Sequence, residues 1–454
     1  MLKKKIYFII FTGLLISFFI SSYYIYKYDR YEISSDNIKN HHMIKSDQKK
    51  YWQHASQFGE EINDKKNFFK TGQEYKFSYL PDKIIFIFSS LVKFKLVDEA
   101  GEVKITKKKI SLLIFQSILY YISLLYFYNE IKKTYPPNTS LYIMAFLSFE
   151  PTIILFHSSF WTESIFFSIQ IILLTLIIKK SEKFLINFFG GFILGLLILQ
   201  RSVAMLYLFP IIIYYIFTFK GNFIKPTLFL ICGYLVVVLF LGFHNFSRSG
   251  VFYVNSSQSK DSFYKYMIPS IISKKENIKA SLAQENLIIE ENNWVKNNKI
   301  NFKTEKERLK YYNYLQKKSL MIIIENTLIS VKHIINKTLH FAVLDPLRHV
   351  HFFHKYEYKG KPETRYYKSK THQKLIPYRI AYSILFYGVC FLGFLQLIRE
   401  KNINHLLIVI LSVLYFTAMT SWIGNTRYFT PCLIYLSIFF GSGLTFLRNF
   451  KRTY

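Results

Sequence analysis

The chain has 454 residues, 51% hydrophobic and 19% aromatic, and carries a formal net charge of +31. Its apolar residues gather into runs of roughly 18 or more, enough to cross a hydrocarbon core of about 30 Å as helices, which excludes a soluble multidomain protein. The basic excess flanks those runs and no base-reading module accompanies it, so it points to membrane orientation and lipid contact and away from nucleic acid.

Lys3-Lys4-Lys5 precedes the first apolar run, Ile6–Tyr26, which reads as an uncleaved signal anchor with a cytoplasmic N-terminus. Residues 27–109 then form a first outer loop. Within it Asp47, Tyr51 and Ala55 recur every fourth residue and share one helix face; Ser46-Asp47 also reads as a helix N-cap. Pro81–Val97 is apolar but too short and too polar-flanked to span, and reads as an interfacial or re-entrant helix.

Six spans follow: Ile110–Tyr128, Ser140–Phe156, Trp161–Ile178, Phe184–Leu199, Val203–Phe219 and Phe223–Phe243. Two polar clusters interrupt them on the outer side. In His157 to Ser164, Glu163 leads into an apolar helix, where it is a candidate for chemistry or for stabilising the helix N-terminus. In Gln200-Arg201-Ser202, an outer arginine suits either a phosphate or snorkelling to the interface. His244-Asn245 leave the next span on the same side.

Residues 244–377 make a large outer region. Leu320–Leu344 is long enough to span, but Glu325, Lys332, His333 and Lys337 interrupt it, so it reads as one amphipathic helix on the outer surface. His349, His351 and His354 have metal-like spacing without an acidic or cysteine ligand to complete a set. Spans Tyr378–Ile398, Asn404–Trp422 and Tyr428–Leu447 close the chain over residues 378–447, with Arg427-Tyr428 leading into the last. Every short inner connection is basic, among them Lys132-Lys133, Lys179-Lys180, Lys220 and Arg399. Cys232, Cys390 and Cys432 lie in apolar runs and read as small core residues rather than disulfide or zinc ligands. The expected fold is an all-α membrane protein: about ten transmembrane helices in a single polytopic domain, with outer-face loops and interfacial amphipathic helices.

In order and in side, these clusters resemble the GT-C superfamily of integral membrane glycosyltransferases, especially its family 39 and ArnT-like branch. Asp47, Tyr51 and Ala55 resemble that family's first-loop pattern, and Trp161-Thr162-Glu163-Ser164 its acidic start to a later helix. Leu199-Gln200-Arg201 is similar to its arginine turn, with Ser202 where proline is frequent. His244-Asn245 through Gly250 resembles the stretch before its large loop, and Arg427-Tyr428 through Pro431 its late helix start.

The resemblance implies transfer of a sugar from a polyprenyl-phosphate carrier to a lipid, glycan or protein acceptor at the outer face of the plasma membrane, with inversion. It implies Asp47 as general base, Glu163 as orienting acid, and Arg201 and Arg427 on the leaving phosphate. Tyr51, Tyr428, His244 and Asn245 become substrate contacts. No cofactor is implied; many relatives have a second acid beside the first-loop aspartate, and Gln48 stands there, so a divalent metal is not indicated. Two other readings stay open: an O-antigen ligase or polymerase, marked by arginine and histidine in a large outer loop, and a transporter or flippase of lipid-linked sugars, marked by ionisable groups at mid-membrane.

Overall fold

The computed structural model describes residues 2–32, 47–63, 79–97, 107–157, 162–254, 263–302, 304–339, 370–420 and 429–453. Among the described residues all regular structure is helical, as the long apolar runs require. The protein is an all-α membrane protein. Among the described residues seven helices are long and apolar enough to cross a membrane, or eight with one bent pair counted as a span.

The chain begins with α1 (Leu2–Glu32). Two shorter helices, α2 (Asp47–Asn63) and α3 (Tyr79–Val92), precede α4 (Lys107–Thr134). The expected span Ser140–Phe156 is not one straight helix: α5 (Pro137–Phe149) and α6 (Pro151–His157) meet at 48°. Glu150 sits at the break, followed by a proline that cannot continue the helical ladder. The carboxylate caps the new helix, with Glu150 Oε2 accepting from the Ile153 N–H at 2.8 Å.

Next come α7 (Glu163–Ile178), α8 (Phe184–Gln200), α9 (Leu208–Phe219) and α10 (Ile224–Ser249). At 16 and 17 residues, α7 and α8 are apolar but shorter than the seven helices long enough to span. Nearly all of α7 is buried, which is why it is hydrophobic all round. Residues 202–207, between α8 and α9, begin with a 3-10 turn (Ser202–Ala204) that forms part of the Ser202–Asn222 span, and a phenol meets two of the backbone groups there. The Tyr415 hydroxyl donates to the Val203 carbonyl at 2.6 Å and accepts from the Leu206 N–H at 3.0 Å.

Four further helices build a separate module: α11 (Ile268–Glu276), α12 (Ala280–Asn297), α13 (Glu305–Glu325) and α14 (Thr327–Leu339). They share their own core, including Tyr264, Ile268, Ile271, Leu287 and Leu315, and none of them is a candidate span. The amphipathic segment expected as one helix over Leu320–Leu344 is divided at Asn326, whose φ of −120° and ψ of 43° are not helical.

The bundle closes with α15 (Lys370–Arg399), α16 (Ile403–Thr420) and α17 (Thr430–Thr453). Most of the apolar stretch of α17 is buried, against little of that of α15, so α17 joins α7 at the centre of the bundle and α15 is peripheral. Outward side chains are large and apolar, such as Phe8, Phe19, Phe209, Ile384 and Leu385. Cys232 also faces outward rather than into the core; Cys390 and Cys432 are buried as expected.

Candidate functional site

The polar side chains that matter converge at one end of the bundle, where α4, α6, α7, α8 and α10 expose their ends to each other. Glu163 is the first residue of α7 and fully buried. A carboxylate suits that position because the first-turn N–H groups lack helical partners and the helix dipole favours negative charge. Its main partner comes from the next helix. Arg201 Nη1 donates to Glu163 Oε1 at 2.7 Å, and both side chains are withdrawn from solvent.

Arg201 reaches Glu163 because α8 stops there. Its backbone is extended, with φ −152° and ψ 123°, and its guanidinium lies 5.7 Å from the centre of the Phe166 ring. The neighbouring Gln200 makes a second tie, donating from Nε2 to the Thr162 carbonyl at 2.9 Å. The adjacent Gln200 and Arg201 therefore clamp the start of α7 by both its backbone and its carboxylate.

Behind this pair lies His157, the last residue of α6. Its Nδ1 is 2.6 Å from Ser164 Oγ, its carbonyl accepts from Gln116 Nε2 at 2.9 Å, and its ring packs 4.4 Å from that of Tyr120. Further along the same helices Glu150 is buried beside α15. Its Oε1 accepts from Thr152 Oγ1 at 3.1 Å and from the Tyr382 hydroxyl at 3.3 Å. A cavity at this point is lined by Glu150, Thr152, Tyr382, Tyr387, Phe429 and Thr430, where α17 begins.

On the other flank, α3 packs against the ends of α8 and α10. Tyr79 shares a cluster with Leu199, Val237 and Leu241, and its ring meets that of His244 edge-on at 5.4 Å. Four residues on, Lys83 Nζ bonds Asp82 Oδ2 at 3.0 Å and sits 3.7 Å above the centre of the Phe58 ring of α2. Burial pushes the Asp82 carboxyl above its usual range, against the opposing pull of Lys83 and, more weakly, His54.

The sequence candidates distribute as follows. Glu163 and Arg201 are brought into direct contact. His244 and Asn245 are buried at the end of α10; Asn245 Nδ2 donates to the Tyr253 carbonyl at 2.6 Å, holding the chain as it leaves the helix. Tyr51 and Ala55 share one buried face of α2, packed with Ile85, Leu96, Leu112 and Leu113. Asp47 is the first residue of α2, and its side chain lies outside the described residues. Arg427 and Tyr428 lie outside them too, as do His349, His351 and His354.

Sequence reasoning missed Asp82, Lys83 and Glu150. Each is an ionisable residue inside an apolar stretch, the signal that singled out Glu163. Among the described residues no three His, Cys, Asp or Glu side chains gather as a metal set.

No family model matches the sequence, and no curated protein matches it. The fold, however, is found among solved structures. The oligosaccharyltransferase AglB of Archaeoglobus fulgidus, in complex with an inhibitory peptide and a dolichol-phosphate, is similar over 98% of this chain and 52% of its own, with a TM-score of 0.50 and 10% identity. The apo form of the Archaeoglobus fulgidus oligosaccharyltransferase is similar over 97% and 50%, again with a TM-score of 0.50 and 10% identity. The chain thus shares the fold of these two solved structures and spans about half the length of those proteins.

Proposed function

We propose that this protein is a glycosyltransferase that moves a sugar from a polyprenyl-phosphate carrier to an acceptor hydroxyl on a lipid, glycan or protein at the outer face of the plasma membrane. The observation that carries the reading is the buried Glu163–Arg201 pair at a helix-end cluster, in a fold whose solved counterpart was captured with a dolichol-phosphate.

In the proposed reaction Asp47 takes the proton of the acceptor hydroxyl as its oxygen attacks the anomeric carbon from the face opposite the phosphate. The bond from that carbon to the phosphate oxygen breaks, and the configuration inverts. Charge grows on the departing polyprenyl phosphate, where Arg201 and Arg427 stabilise it. Glu163 fixes the Arg201 guanidinium and orients the sugar or acceptor. Tyr51, Tyr428, His244 and Asn245 serve as further substrate contacts in this reading. Holding donor and acceptor in line supplies much of the acceleration.

A transporter reading has one observation on its side, the helix broken at the buried Glu150. Sugar transfer in membranes of cells lacking the gene separates the roles. With matched expression, Asp47→Asn is expected to abolish transfer and Asp36→Asn to leave it intact. Full activity of both variants would remove Asp47 from the reaction.

A further inference from the structure

The α11–α14 module buries one face of its last two helices and leaves another apolar face open. Ser319, Ser330 and His333 point into the module. Leu320, Met321, Ile324, Leu328, Val331 and Ile335 are all exposed, Ile324 by 71% and Leu328 by 86%. Leu328, Val331 and Ile335 recur every three or four residues along one side of α14, and Leu320 and Ile324 do so at the end of α13, before the break at Asn326. Single exposed apolar residues are ordinary on any protein surface; two runs of them on successive helices, separated by the exposed Glu325 and the break at Asn326, mark a contact.

Two features say what covers it. Glu305, the first residue of α13, is bonded to Arg248 and Tyr253 at the end of α10, so the module is held directly against a membrane-spanning helix. Lys317, Lys332 and Lys337 are exposed on the same two helices. An apolar face with lysines beside it matches a bilayer surface, where the side chains enter the acyl boundary and the ammonium groups meet lipid phosphates.

We infer that the end of α13 and α14 lie in the headgroup–acyl boundary of the leaflet at which α10 ends, with anionic lipid as the preferred partner. The module is then a membrane-seated arm rather than a freely projecting domain. This inference does not depend on the glycosyltransferase reading.

The test uses the full chain in phosphatidylcholine–phosphatidylglycerol vesicles, with Cys232, Cys390 and Cys432 replaced by alanine. A nitroxide is placed by Leu328→Cys, by Ile335→Cys or, on the exposed side of α12, by Gln284→Cys. Collision rates with oxygen and with a water-soluble nickel chelate report depth. The oxygen-to-nickel ratio is expected to be several-fold higher at Leu328 and Ile335 than at Gln284. A ratio equal to that at Gln284 would put the stripe in water and overturn the inference. An immobilised label shielded from both reagents would mean that protein, such as a second copy of the chain, covers it, which also overturns it. Leu328→Trp in the cysteine-containing protein repeats the test without touching the buried cysteines: brominated lipid should quench fluorescence more than in wild type, and equal quenching would contradict the seat.

Discussion

The Glu163–Arg201 pair decides how the site end of the bundle is built. Two buried charges at 2.7 Å stabilise little relative to an apolar pair of equal shape, but removing one strands the other. Glu163→Gln is therefore expected to cost about 3–5 kcal/mol, read as a marked fall in the melting temperature of the detergent-solubilised protein. The double variant Glu163→Gln, Arg201→Met should recover much of that stability while remaining inactive in sugar transfer. A double variant no more stable than Glu163→Gln alone would show that the stranded charge is not what destabilises. Both partners were legible in the sequence as polar residues at span ends, because membrane helices tolerate charge only with a purpose. Their pairing was not legible, since 38 residues separate them and only the packing of α7 on α8 joins them. Asp82 and Lys83 escaped for a related reason: adjacent opposite charges look self-cancelling in a sequence, yet both are buried here.

At the level of elements, α8 and α10 pack so closely that glycine is required at the contact. A Cβ on Gly191 would lie 1.8 Å from the Leu230 carbonyl oxygen, and one on Gly233 would lie 1.9 Å from that of Phe188. Both obstacles are backbone, so the helices themselves would have to move apart. Gly191→Ala and Gly233→Ala are expected to lower the melting temperature sharply and to disturb Arg201, which sits at the end of α8. Gly388→Ala, with nothing within 4 Å of its Cβ position, should be neutral or stabilising by up to about 1 kcal/mol. Equal effects at all three positions would contradict the packing account. The helices themselves were readable from run length, and Pro151 was the one sequence signal for a break, while the size of the bend there and the divide at Asn326 were not readable. The bend at Glu150 and the divide at Asn326 fall within apolar or amphipathic runs, where tertiary partners such as Tyr382 decide the local geometry.

Over the whole molecule, apolar run length and basic flanks were enough to read an all-α membrane protein. They were not enough to reveal the α11–α14 module as a body with its own core. An amphipathic period shows that a helix has an apolar face but not which other helices share it, and the core here joins residues as far apart as Tyr264 and Leu315. That module should respond to pH apart from the membrane bundle. Burial, with Lys337 and Lys274 nearby, pushes His333 down from 6.5 to about 4. Unfolded, the imidazole takes a proton as pH falls through 6.5, whereas the folded module refuses it until about 4, so folding stability is full above 6.5 and declines below it. Hydrogen exchange, corrected for its intrinsic pH dependence, should show α11–α14 opening more readily at about pH 5 than at about pH 7, and His333→Gln should reduce the difference. An unchanged difference in that variant would assign the response to another group.

The central claim is that the bundle spends a lipid-linked sugar. The most direct test reconstitutes the full chain in vesicles with polyprenyl-phosphate sugars labelled at the anomeric carbon and adds membranes from cells lacking the gene as acceptor. The account requires release of polyprenyl phosphate and a product of inverted anomeric configuration, both absent with Asp47→Asn. Intact donor after incubation with the wild-type protein, across the sugars offered, together with movement of that donor between leaflets, would contradict it and make the protein a transporter.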